Sequence, residues 1–282
     1  MRTILIICFL ALFFPSVNAQ ISTKTYNADA QAAYDRALAQ KEAGQERAAK
    51  AALQQALKYD PNFVDALRQL ADYHYTENLL DSAIFYYDRN VNILPRDLFA
   101  HNWLVTIYLQ QKNYEAALGQ YDAILRTFTD RPTVQADVYF KIAETEFTYM
   151  NRWQNAITTG EEAMKRYLGL AQMVDDEKSL RLVNQKAAQA RMIAAKGYFL
   201  LGNYKIALKY LKENAKHLGS EAEYQFFLGN TYYELGKTEK GIPLVRQAIL
   251  QGYEIPREVL ESGYELPAEF MMDHSEYIKD NE

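Results

Sequence analysis

The sequence predicts an all-α protein built as a solenoid of about six helical hairpins, and three observations carry that expectation. Stretches of similar pattern recur at a step of 34 residues. A small side chain returns at one fixed place of each stretch, and at another the side chain is in most cases a large ring. Turn-forming residues divide every stretch into two segments of helix length.

The first 19 residues stand apart from the pattern and read as an export signal. Arg2 supplies the positive start, and residues 4–14 form an apolar run well short of the roughly 20 residues of a membrane span. Pro15 ends that run, and Val17 and Ala19 occupy the small-residue positions before a cut that leaves Gln20 first. Cys8 lies inside the apolar run, not behind the small residues that a lipid-anchoring signal requires. It is also the only cysteine, so the mature chain is expected to form neither a disulfide nor a thiolate metal site. The expectation is secretion across an inner membrane into the periplasm, with no membrane segment after cleavage and a short extension at residues 20–29.

Six units follow, beginning at Ala30, Val64, Leu98, Asp137, Ala188 and Ala222, with steps of 34, 34, 39, 51 and 34 residues. Place twenty holds Ala49, Ala83, Ala117, Ala156, Ala207 and Gly241, a size that lets paired helices cross closely. Place eleven holds Gln40, His74, Tyr108, Phe147, Tyr198 and Tyr232, mostly rings that fill the space between helices. Place eight holds Ala37, Ala71, Val105, Glu144, Ala195 and Gly229, with Glu144 the misfit. Pro61 and Pro95 close the first two units. Residues 171–187 interrupt the period; with no glycine or proline from Asp175 to Lys196, the interruption is either an extension of the next helix or an extra helix. Residues 256–282, broken by Pro267, form either a cap over the last hairpin or a tail.

Gly229-Asn230-Thr231-Tyr232, Tyr198 with Gly202-Asn203-Tyr204 and Ala207, and Tyr108 with Asn113-Tyr114-Glu115-Ala116-Ala117 together resemble the tetratricopeptide repeat. The likeness covers residues 30–255, although the family tryptophan at place four is missing throughout. The resemblance implies a right-handed superhelix whose groove is lined by places two, five, six, nine, twelve and thirteen of each first helix. Those places supply the candidate partner-binding residues Tyr34, Arg68, Asp72, Tyr75, Asn102, Trp103, Lys141, Tyr149, Phe226, Asn230 and Tyr233. Rings and guanidinium groups give broad contact at low ordering cost, as recognition surfaces require. The family's carboxylate clamp is not reproduced, since Asp72 stands where it wants asparagine and Tyr34 where it wants lysine.

Charge and chemistry narrow the function. Of 31 basic residues Arg2 belongs to the leader, leaving 30 against 36 acidic ones, and no basic cluster points to nucleic acid. His74, His101, His217 and His274 share no spacing suited to a metal or a general base, and His74 is expected to pack as a ring between helices. Asp175, Asp176 and Glu177 fit the positive amino-terminal end of a long helix. Phosphate-loop and hydrolase motifs are absent. The expectation is a non-enzymatic envelope scaffold, without cofactor or metal, that binds a peptide or helix of an envelope or secretion protein. The alternative is a glycan or small-ligand binder that uses groove rings such as Trp103 and Tyr75.

Overall fold

The structure, a computed structural model, describes residues 25–267 and Phe270. The expected leader at 1–19, residues 20–24, His274 and the rest of the chain beyond 270 lie outside the described residues. Among the described residues every regular element is a helix, and two compact units divide the chain, Met1–Leu94 and Pro95–Glu282.

The first unit pairs α1 (Ala28–Glu42) with α2 (Glu46–Tyr59) and α3 (Val64–Thr76) with α4 (Leu80–Ile93). The second pairs α5 (Leu98–Gln110) with α6 (Tyr114–Thr127), α7 (Pro132–Met150) with α8 (Trp153–Ala171), α9 (Glu177–Leu200) with α10 (Tyr204–Leu218), and α11 (Ala222–Glu234) with α12 (Thr238–Leu250). A short α13 (Arg257–Glu261) follows. The five alanines at place twenty have no exposed surface, and Gly241 is buried with them. The turns repeat as well: Gly44, Asn78, Lys112, Asn151, Gly202 and Gly236, each at place fifteen, all have positive φ, between +51° and +74°. Such a residue ends one helix and redirects the chain into the next, which favours glycine or asparagine there.

The irregular steps in the period are absorbed by helix length. α7 begins at Pro132, five residues ahead of the unit start at Asp137, with proline at a first-turn position that needs no amide hydrogen. The interruption at 171–187 is an extension and not an extra helix: α8 runs 19 residues, and α9 runs 24 as one helix. Asp176 caps α9, its side chain accepting from the Ser179 amide at 2.8 Å, and the Ser179 hydroxyl together with that amide holds its carboxyl below the ordinary range.

Apolar residues close each layer. In the second unit Phe199, Leu211, Phe226, Phe227, Val245 and Val259 form one buried cluster joining α9 through α13, and each fully buried phenylalanine contributes on the order of 1.5–3 kcal/mol. Val259 has no exposed surface, so α13 covers the last hairpin as a cap.

Candidate functional site

In the first unit α3 carries Arg68, Asp72 and Tyr75 on one face, at spacings of four and three. Tyr34 approaches from α1, its ring 4.9 Å from Phe63 and its hydroxyl within the fields of Asp65, Arg68 and Asp72. Arg68 lies 3.8 Å from Asp65, and Asp72 accepts the hydroxyl of Tyr87. Burial raises the Asp72 carboxyl, against that hydroxyl, which holds it down. Tyr34, Arg68 and Asp72 therefore come together, all half-buried, and Tyr75 follows one turn on.

In the second unit Asn102 is exposed on α5, while half-buried Trp103 sets its ring edge-on to Phe99 at 6.1 Å. Lys141 on α7 pairs with Glu144 at 2.7 Å, and Tyr149 at the end of that helix stacks on Tyr114 at 5.1 Å with the planes 10° apart. Tyr149 is 48% exposed, so this ring pair presents an open aromatic surface.

Beside Lys141 the faces of α7 and α9, with the start of α11, enclose a cleft of about 370 Å³ that includes Phe140, Glu144, Thr148, Gln189, Met192 and Glu223. At its centre stands Lys196, a residue the sequence reading missed. Its ammonium lies 4.6 Å from the Phe147 ring centre and 5.8 Å from that of Phe227, and pairs with Glu223 at 2.8 Å. Place nine of the fifth unit is occupied by Lys196, a groove place, and that position was the signal available for it. Glu144, the misfit at place eight, is half-buried and lines the cleft; the close approach to α8 is made one residue earlier by Ala143, whose methyl neighbours Gly160.

The last three candidates are covered by the chain itself. Phe226 and Asn230 have no exposed surface. Phe226 packs 5.2 Å from Tyr253, Asn230 meets the hydroxyl of Tyr264, and half-buried Tyr233 lies 5.0 Å from Phe270.

The titratable groups serve structure. His101 is buried between the Pro95 carbonyl at 3.0 Å and the Gln120 side-chain oxygen at 2.9 Å, and His74 stacks on Tyr86 at 5.3 Å as a packed ring. Glu146, buried on α7, accepts the Thr159 hydroxyl at 2.8 Å, and burial pushes its carboxyl above the ordinary 4.5 against that bond. A raised folded value stabilises the fold fully below the ordinary carboxylate range, and that stability is lost as pH rises through the raised value. Glu146→Gln keeps an oxygen for Thr159 and removes the buried charge. It is expected to raise the unfolding free energy at about pH 7 and to give no gain at about pH 3. Urea titrations at the two pH values measure this, and an equal effect at both would contradict the assignment.

Residues 34–95 and 222–250 each match a model of the tetratricopeptide repeat. The chain is a tetratricopeptide-repeat protein. The matched stretches fall in the first two units and the last, while the fourth and fifth units, which lie between them, carry the lengthened helices. The tetratricopeptide-repeat chain is similar to the crystallised MamA protein, over 72% of its own length and 97% of the other, at 15% identity and a TM-score of 0.50. It is equally similar to YrrB, a tetratricopeptide-repeat protein with an unusual peptide-binding site, over 70% and 90% of the two chains, at 15% identity and a TM-score of 0.50. At such identity the likeness concerns the fold. No curated protein matches the chain at a significant level. No helix among the described residues is long and apolar enough to cross a membrane.

Proposed function

We propose that this tetratricopeptide-repeat protein is a non-enzymatic scaffold of the cell envelope, holding a peptide or helix of a partner protein against the first helices of its hairpins. The observation that carries the reading is the surface of α7 and α9, where the open Tyr114–Tyr149 stack adjoins Lys141, Glu144 and the ring-flanked Lys196. Rigid rings with charged groups between them bind extended chains at low entropic cost. The peptide site of YrrB, on a similar fold, supports the reading by analogy. Placement in the periplasm rests on the charged start, apolar run and small-residue exit of residues 1–19, and a partner from the envelope or secretion machinery follows from that placement.

Cell fractionation with amino-terminal sequencing tests the placement: the protein is expected outside the cytoplasm, beginning at Gln20. Recovery in the cytosol with residues 1–19 attached would overturn it. The surface is tested by replacing Lys141 and Tyr149 together with alanine, expected to weaken capture of a crosslinked partner about tenfold while leaving the circular dichroism unchanged. Capture indifferent to that pair and to Trp103→Ala would refute the binding surface.

A further inference from the structure

The segment after α13 does something a cap need not do. Val259 is buried in the core, and the chain then turns at Gly263, with φ at +77°, and continues as irregular backbone onto the faces of α9 and α11, where Phe270 joins the same cluster. The Tyr264 ring lies edge-on to Phe199 of α9 at 4.9 Å. Its hydroxyl stands 3.1 Å from Asn230 Oδ1 and 2.9 Å from Glu234 Oε1, one proton shared between two acceptors on α11. Further on, Phe270 packs against Tyr233 of α11.

Two features make this a recognition site and not incidental packing. Asn230 is fully buried, and its amide nitrogen donates to the Phe226 carbonyl at 2.8 Å, which turns Oδ1 toward the incoming hydroxyl. The acceptor is thus fixed by α11 itself. The segment, moreover, is held by its side chains: among the described residues no backbone hydrogen bond ties 264–267 to the repeats. A chain held by the side chains of Tyr264, Leu266 and Phe270, and not by a ladder of backbone bonds, is displaceable.

We infer that the first-helix face of the last two hairpins is a peptide site that reads an unmodified tyrosine, and that the chain's own residues 262–267, with Phe270, occupy it as a tethered substitute for an external ligand. Glu234 and the Asn230 oxygen accept a phenol proton and repel a phosphate or sulfate, which sets the ligand class. A short tether presents the segment at an effective concentration on the order of mM, so an external peptide at micromolar level competes poorly until the segment is loosened.

The inference rests on the peptide-binding reading above but is tested with a defined probe, a fluorescent synthetic peptide of residues 261–270 added to the full chain. Polarisation is expected to report binding to Tyr264→Ala at least about tenfold tighter than to the wild type, with Phe270→Ala shifted the same way and less. Replacing the peptide's tyrosine by phenylalanine or phosphotyrosine is expected to abolish the gain. Circular dichroism confirms the fold of each variant, and if Tyr264→Ala fails to fold, Phe270→Ala decides alone. Equal binding to wild type and folded variants, or none to any of them, overturns the inference. Loss of envelope partners with peptide binding intact would instead remove only the scaffold reading.

Discussion

Gly241→Val is expected to lower the stability of the last hairpin by about 3 kcal/mol and the melting temperature by roughly 10 °C. A Cβ built on Gly241 would stand 2.5 Å from the Gly229 carbonyl oxygen and 2.9 Å from the Tyr233 amide nitrogen, both backbone atoms of α11. The crossing is closed from the other side too, since a Cβ on Gly229 would meet the Gly241 carbonyl oxygen at 2.8 Å. Backbone cannot rotate away as a side chain can, so α11 and α12 must part, which loosens Phe226 and Phe227. The other five units hold alanine at the same place, and this hairpin alone uses glycine on both helices at the crossing. Because repeat arrays are stabilised by nearest neighbours, the damage should stay local. Hydrogen exchange is expected to accelerate in α11 and α12 and to remain unchanged in α1 to α4. Gly119→Ala provides a control of opposite sign: nothing lies within 4 Å of its Cβ position on α6, and exchanging glycine for alanine in an exposed helix gains about 0.8–1 kcal/mol. A gain at both positions would mean that no close crossing constrains place twenty, because helix propensity alone favours replacing either glycine.

The repeat was readable because it is imposed by geometry that few side chains satisfy. Only a methyl group or a hydrogen fits where paired helices cross, so place twenty announced itself in all six units. The turn at place fifteen was readable where it holds Gly44, Asn78, Asn151, Gly202 or Gly236, residues that tolerate positive φ, and silent at Lys112. Longer helices were harder to place, because helical periodicity continues whether residues 177–187 begin α9 or form a separate helix. Pro132 marks the start of α7, five residues ahead of Asp137, the first place of the repeat unit. At the other end, the 34-residue step from Ala222 falls on Pro256, so α13 is the opening of a seventh first helix that Gly263 and Pro267 stop. Groove places identified Trp103, Lys141 and Tyr149, which stay at least partly open, and equally Phe226 and Asn230, which the chain's own segment covers. No local pattern distinguishes the two groups, since the difference is made by Tyr253 at Phe226 and by Tyr264 at Asn230, 27 and 34 residues along the chain.

Asp137→Ala is expected to cost about 2–3 kcal/mol, because one carboxylate oxygen holds three helices together where the array is lengthened. Asp137 Oδ1 on α7 accepts the Tyr167 hydroxyl of α8 at 2.6 Å and pairs with the Lys186 ammonium of α9, also at 2.6 Å. Lys186 belongs to the added turns of α9 and lies 5.6 Å from the Tyr167 ring centre. Tyr167 is 2% exposed, so removing the carboxylate leaves its hydroxyl buried without an acceptor, an expensive condition. The Lys186 side chain, 26% exposed, lets its ammonium regain some water, which keeps the loss below that of a fully buried ion pair. Asp137→Asn retains an oxygen for Tyr167 and gives up only the charge, so it is expected to cost about 1 kcal/mol. In a double-mutant cycle with Lys186→Met, a coupling of about 1 kcal/mol is expected, read by urea unfolding. Exchange in residues 177–187 should rise before exchange in the rest of α9, because those turns extend beyond the repeat and this carboxylate adds a polar anchor to α7 beside the packing of Val183 and Ala187. A cost under about 0.5 kcal/mol, with exchange in those turns unchanged, would show that apolar packing alone holds the extension.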